Sequence, residues 1–192
     1  MIDVIGTDAG APASLPEMQQ RLIRTAKLIA APRRLQPALQ SWLGSDRSLI
    51  CSDEPRSLAK TLAELDDQSD VVVLASGDPL WFGIGRILID RLGSQRLRFH
   101  PSATAMQLAF ARIGRPWQDA TWVSLHGREP DVLGRELQKR PTALAVLTDP
   151  NQGGAETVQS ILRSSGLLSS YQLWLCCLLY TSDAADDQAS VG

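Results

Sequence analysis

The residues of this chain that could do chemistry stand directly behind apolar runs. Ser76-Gly77-Asp78-Pro79 follows Val71-Val72-Val73-Leu74, and Gly6-Thr7-Asp8-Ala9-Gly10 follows residues 2–5. His126-Gly127-Arg128 follows residues 121–125, and Thr148-Asp149-Pro150 follows residues 142–147. The 71–74 run has no polar alternation, so it reads as a parallel strand buried on both faces, and ligands of open α/β sheets bind beyond the carboxyl ends of such strands. At that end Gly77 lets main chain approach a ligand without a Cβ in the way, Asp78 brings a carboxylate, and Pro79 removes an N–H that would need a partner. A plain strand-to-helix turn would use the same residues, so the motif alone leaves both uses open.

The other stretches narrow the chemistry. The first loop lacks both the GxGxxG spacing and the Walker lysine, which leaves phosphate binding unsupported. His126 has neither a nucleophile elbow nor a metal-ligand set around it in sequence, so a hydrogen-bonded turn residue and a catalyst both fit, and no metal is expected. Arg33-Arg34 reads either as a solvated helix start or as an anchor for an acidic substrate. Ser102 and Thr104 could cap the helix behind them, and a helix start at a strand's carboxyl end puts free N–H groups on the same rim as Gly77.

The elements that would position these residues alternate strand and helix. Strands are expected at residues 2–5, 28–30, 48–50, 71–74 and 97–99, with a helix after each, which predicts a parallel sheet covered on both sides. The first helix carries Met18, Leu22 and Ala26 at helical spacing, the third carries Leu58, Leu62 and Leu65, and the one after residue 100 carries Met106, Ala109, Phe110 and Ile113. Gly114-Arg115-Pro116-Trp117 ends that helix and is the expected linker. A second unit comes after it, with strands at residues 121–125, 142–147 and 171–175.

Composition sets the limits. Of 192 residues 44% are hydrophobic and 21% charged, with 19 basic against 21 acidic side chains and a net charge of -2. This is ordinary for a globular protein and shows no basic block for nucleic acid or an anionic membrane. No apolar run approaches a membrane span and no leader pattern opens the chain, so a cytoplasmic location is expected. Cys51, Cys176 and Cys177 fit neither a disulfide framework nor a CxxC metal site and read as reduced thiols.

The strings SGDPLWFGIG, HPSATAMQLAFARIG, RPWQDATWVSLHGR and LTDP resemble the tetrapyrrole methylase superfamily, and within it the precorrin-6Y (cobalt-precorrin) C5-methylating branch. The resemblance runs from Ile2 to about Leu175. It implies an α/β fold of two domains that together bind S-adenosylmethionine: residues 1–117 with the five-stranded parallel sheet, and an incomplete second α/β domain at 118–176. It implies cofactor contacts at Ser76, Gly77, Asp78, Trp81, Thr104 and Ala105, and at His126, Gly127, Leu147 and Thr148 from the second domain. Gly6, Asp8 and Gly10 would border the tetrapyrrole, with Arg33, Arg34 and Arg128 as anchors for its carboxylates. Methyl transfer from a sulfonium depends mostly on holding the acceptor carbon in line with the methyl group. If a base collects the displaced proton, His126 and Asp8 are the candidates.

The implied partners are a small-molecule precorrin, a second copy of the chain and a separate decarboxylating methylase, with no nucleic acid and no membrane. Another tetrapyrrole-methylase substrate, or cofactor binding without turnover, remains open as an alternative. Residues 177–192 depart from the pattern. They resemble translated sequencing-adapter read-through and are expected to be a non-native tail, in which Thr181 to Gly192 is small and acidic with no apolar period and is expected to be extended with few apolar contacts.

Overall fold

β1 (Ile2–Thr7) and β4 (Val71–Ser76) lie side by side in the middle of a five-stranded sheet. The computed structural model describes residues 1–8, 10–44, 47–65, 70–126, 128–149, 153–176 and 188–191. β2 (Leu28–Ala31), β3 (Ser48–Cys51) and β5 (Leu97–His100) complete the sheet in the order β3-β2-β4-β1-β5, every pair parallel. The expected buried strand at residues 71–74 is therefore central, and all four of its side chains are at most 2% exposed.

Alternate residues of these strands feed two cores. Ile2, Val4, Ala30, Val71 and Val73 pack with Leu58, Ala59 and Leu62 of α3 (Pro55–Ala63) and with Leu88 and Leu92 of α4 (Gly85–Leu92). Ile5, Ile29, Val72 and Leu74 pack on the opposite face with Ile23 of α1 (Glu17–Thr25) and Leu39 of α2 (Gln36–Leu43). Each fully buried aliphatic side chain contributes about 2 kcal/mol by area burial. Met18, expected on the inner face of α1, is 69% exposed instead. Ala11 and Leu15 of the preceding loop are in that core, and the helix's inward stripe runs through Ile23 and Ala26.

The chain divides into two compact units, Met1–Thr104 and a second beginning at Ala105, earlier than the expected break at Trp117. Gly114 does end α5 (Ala105–Arg112), with φ of 65°. That helix is already part of the second unit: Phe110 packs at a tilt against Trp122, ring centres 5.7 Å apart, and Arg115 donates to the Thr142 carbonyl at 3.1 Å. A glycine-proline stop marks a helix end, and here the helix is not the last of its unit.

The second unit contains β6 (Thr121–Ser124) paired parallel with β7 (Leu144–Leu147), plus α6 (Asp131–Gln138) and α7 (Gly154–Ser164). Val123, Leu125, Leu133, Leu137, Leu162 and Leu167 form its core. β8 (Leu173–Cys176) pairs antiparallel with β9 (Gln188–Val191), so part of the tail expected to be extended with few apolar contacts forms a paired edge strand. An open strand edge offers unpaired N–H and C=O groups to any extended segment, whatever its side chains. The remaining tail residues and Cys177 lie outside the described residues. Cys51 and Cys176 are free thiols, and no described helix is long and apolar enough to cross a membrane.

Candidate functional site

The helices that follow β1 and β4 cover opposite faces of the sheet, α1 on one side and α4 on the other. Loops leaving adjacent parallel strands toward opposite faces separate and open a crevice at the carboxyl ends, where α/β proteins bind ligands. Register puts Gly6 beside Ala75 and Thr7 beside Ser76, so the Gly6 loop and the Gly77 turn leave the sheet together.

Backbone makes most of this rim. Gly77 adopts φ of 61°, a left-handed conformation that a β-branched residue resists, and its N–H donates to the Thr7 carbonyl at 2.9 Å. A Cβ on Gly6 would collide with the Gly77 carbonyl oxygen and meet the Ser102 nitrogen at 2.7 Å. The three loops after β1, β4 and β5 are thus brought together by the absence of one side chain. Thr7, fully buried, ties the strand ends by donating to the Ala75 carbonyl at 2.9 Å.

Several residues singled out from the sequence meet here. The Arg34 guanidinium reaches Ser76 Oγ at 2.8 Å and Thr7 Oγ1 at 3.4 Å, which brings a cation to the crevice from the end of β2. Arg33 does not join it: its N–H donates to Asp53 at 3.0 Å and its exposed side chain faces the same carboxylate at 3.8 Å. Asp78 accepts the Leu80 N–H at 2.9 Å, so its carboxylate shapes the turn. Asp8 accepts from the Gly10 N–H at 3.0 Å and from the Ser14 hydroxyl, which uses one carboxylate oxygen to close its own loop. Trp81 is half-buried and packs edge-on against Phe82 at 4.6 Å, beside Leu80 and Phe82, which are 53% and 40% exposed. Thr104 is 6% exposed at the end of the first unit, and Ala105 begins α5.

In the second unit, Leu125 extends the β6–β7 pairing by donating to the Leu147 carbonyl at 2.8 Å, and Arg128 turns back to the Leu125 carbonyl at 3.1 Å. His126 sits in that turn, its side chain 67% exposed, with Nδ1 3.5 Å from a carboxylate oxygen of Asp149. Leu147 and Thr148 are half-buried at the end of β7, Arg128 is exposed, and Gly127 lies outside the described residues.

One cluster is not apparent from the sequence. Asp3 on β1 is 7% exposed and accepts from Arg98 Nε at 2.6 Å and Nη2 at 2.9 Å, while His100 Nε2 stands 2.6 Å from the same carboxylate. Burial alone would push this carboxyl up; the hydrogen bonds and positive charge of Arg98 and His100 outweigh it and hold Asp3 below the usual carboxylate range. A charged residue inside a strand buried on both faces, with two basic residues at i and i+2 on a later strand, was the available signal.

A parallel-sheet protein with a mainly backbone crevice, small hydroxyls and an arginine is built to position a ligand, with no nucleophile-and-base constellation among the described residues at that crevice. The chain belongs to the tetrapyrrole (corrin/porphyrin) methylases, whose family model it matches over residues 1–170. It is 33% identical over 165 residues to a precorrin-6Y C(5,15)-methyltransferase (decarboxylating) of Sinorhizobium sp, covering 86% of this chain and 39% of that protein. It is 29% identical over 163 residues to the cobalt-precorrin-7 C(5)-methyltransferase of Salmonella typhimurium, covering 84% and 78%. The chain thus spans less than half the length of the decarboxylating relative. In fold it resembles the methyltransferase CobJ, with a TM-score of 0.75 at 21% identity over 99% of this chain and 84% of that one. It also resembles the precorrin-6Y methylase of Archaeoglobus fulgidus, with a TM-score of 0.58 at 22% identity over 78% and 73%.

Proposed function

We propose that this protein is an S-adenosylmethionine-dependent C-methyltransferase acting on a corrin-type precursor of cobalamin, at the C5 position named for its relatives. The observation that carries the reading is the crevice where the loops after β1, β4 and β5 converge on Gly6. Its small residues leave main chain accessible to a bulky organic ligand, and the donor, when bound, supplies an activated methyl group on a positively charged sulfur. Ser76, Gly77, Asp78, Trp81 and Thr104 are the cofactor contacts in the first unit.

The chain's own part is chiefly to orient. Gly77 presents main chain, Asp78 holds the turn through Leu80, and Leu80 and Phe82 offer apolar area beside it. Such positioning supplies most of the barrier reduction a methyl transfer needs. Arg34, steadied by Ser76 and Thr7, pairs with a carboxylate of the substrate, a recognition for which guanidinium geometry is suited. A cytoplasmic location and a tetrapyrrole partner belong to the same reading.

Calorimetric titration of S-adenosylhomocysteine tests it. The full chain is expected to bind, and Gly77→Val is expected to lose at least about tenfold in affinity while keeping its circular dichroism, since a β-branched residue at this φ costs about 1–3 kcal/mol locally. Absence of binding, or unchanged affinity in a folded Gly77→Val protein, overturns the assignment.

A further inference from the structure

We propose that the turn between β4 and α4 is a rigid apolar platform for the acceptor ring, with Phe82 as the side chain that lies against the ring and Arg34 as the cation that faces its carboxylates. The inference rests on the methyltransferase reading and adds to it a residue that favours acceptor over donor. Every group it uses belongs to the first unit.

The backbone of Phe82 is the starting point. Its φ is 53°, in the left-handed region that bulky side chains resist. The surrounding turn enforces it. The Gly85 N–H donates to the Pro79 carbonyl at 2.8 Å and the Trp81 N–H to the Asp78 carbonyl at 3.1 Å, while Asp78 Oδ1 accepts the Leu80 N–H. A Cβ on Gly83 or Gly85 would stand 2.7 or 2.5 Å from the Pro79 carbonyl oxygen, so two glycines let the chain close over that one group. Strained residues held by such over-determined surroundings cluster where ligands are gripped. Here the strain does not serve the core: the Phe82 ring is 40% exposed beside Leu80 at 53%, and Trp81 meets it edge-on. Glycine or asparagine would make the same turn at lower cost. An aromatic ring held out at that position stabilises most when a ligand covers it.

Charge selects the ligand. Leu35, next to Arg34, lies in the core beneath α1 and α2, and Ile84, just past Phe82, packs on the core beneath α3 and α4. A cation and an apolar ring therefore approach the carboxyl ends of β1 and β4 from opposite faces of the sheet. Arg34 is fixed on Ser76, six residues before Phe82 on the same strand-to-helix passage. S-adenosylmethionine combines a sulfonium, an ammonium and a carboxylate, a net positive charge that a guanidinium disfavours. A corrin-type acid instead offers an apolar ring with carboxylates at its periphery, which complements Phe82 and Leu80 on one side and Arg34 on the other.

Calorimetric titration of the full chain with cobyrinic acid, a carboxylated corrin, tests the platform, with S-adenosylhomocysteine titrated in parallel. Phe82→Ala keeps the Cβ and the backbone, and is expected to raise the Kd for cobyrinic acid about tenfold while leaving that for S-adenosylhomocysteine within about twofold. Phe82→Gly removes the ring and relieves the turn at once, so it should bind the corrin equally poorly and fold at least as readily as Phe82→Ala. Phe82→Tyr should restore wild-type affinity, and Leu80→Ala should cost less than Phe82→Ala. Unchanged corrin affinity in folded Phe82→Ala or Phe82→Gly, or no corrin binding by the wild type, overturns the platform. A loss of S-adenosylhomocysteine affinity in those variants also overturns it, since Phe82 would then serve the donor. A wild-type chain that binds no S-adenosylhomocysteine sinks the methyltransferase reading instead, while a Phe82-dependent corrin affinity in that chain would still uphold the platform.

Discussion

His100 and Asp3 meet at 2.6 Å inside the first unit, where Arg98 also binds both oxygens of the same carboxylate. His126 and Asp149 stand 3.5 Å apart in the second unit, with the imidazole largely in solvent. The residue types are the same, and so is the position of each histidine at or just past a strand end. What differs is access. The His100 side chain is 14% exposed, and Asp3 is hemmed in by Arg98 and His100, so the pair joins β1 to β5 and is closed to a ligand. An open ring held at one edge can instead exchange a proton with something bound. Burial converts a histidine–carboxylate pair into a fastener; exposure of one edge leaves it able to react.

Stability measurements separate the two pairs most sharply. Asp3→Ala removes the acceptor for Arg98 and His100 together and leaves a nearly buried imidazole without its partner, so it is expected to cost about 2 kcal/mol. The Arg98 side chain is 56% exposed and returns to water, which keeps the cost from rising further. His126→Ala, at an exposed turn, should change stability by less than about 0.5 kcal/mol. Urea denaturation of both variants checks the contrast, and equal losses would erase it.

A weaker effect appears on acidification. Asp3 titrates below its ordinary range because its hydrogen bonds and neighbouring charges outweigh its burial. A depressed folded value means that the stabilisation is complete above the unfolded carboxylate's pKa, near about 3.9, and is lost as pH falls through the lower folded value. Wild type should therefore be more stable than Asp3→Asn by a constant margin at pH 5 and above, with the margin closing below about pH 4. Denaturation midpoints measured from pH 6 to pH 2 report this directly. A margin that widens on acidification would mean that Asp3 is not the titrating fastener.

Much of the first unit could be read from residue order alone, because five short strand-like runs, each followed by a helical segment and one of them (71–74) without polar alternation, allow little besides a parallel sheet. The crevice was legible for the same reason: Gly77 ends the central strand, and Gly6 ends its neighbour. Legibility failed where the deciding contact is distant in sequence. Asp3 lies 95 residues from Arg98, and nothing near either one names the other. Arg33 and Arg34 are adjacent and chemically alike, yet the turn after β2 sends one to Asp53 and the other to Ser76. The allegiance of α5 was hidden in the same way, since its apolar stripe does not reveal that Trp122 is the partner of Phe110.

The tail provides the smallest effect and tests how far backbone pairing alone can stabilise an edge. β9 pairs with β8 over four residues, Val191 opposite Leu173 and Gln188 opposite Cys176. That sheet has two strands, and an isolated two-stranded antiparallel pair is marginal in water. The sequence Gln-Ala-Ser-Val supplies little apolar area, while the unit's core of Leu133, Leu137, Leu162 and neighbours is drawn from α6, α7 and the strands before them. Net hydrogen-bond contributions are modest because water satisfies the same groups once the strand is removed. Deleting residues 178–192 should therefore lower stability by about 1 kcal/mol or less, well under the roughly 2–5 kcal/mol lost when a large core side chain such as Leu137 is truncated to alanine. Urea midpoints of the deletion and of Leu137→Ala, measured side by side, give the ranking. If the deletion costs as much as Leu137→Ala, then β9 carries packing and not only pairing, and the second unit depends on its last strand as the first depends on Asp3.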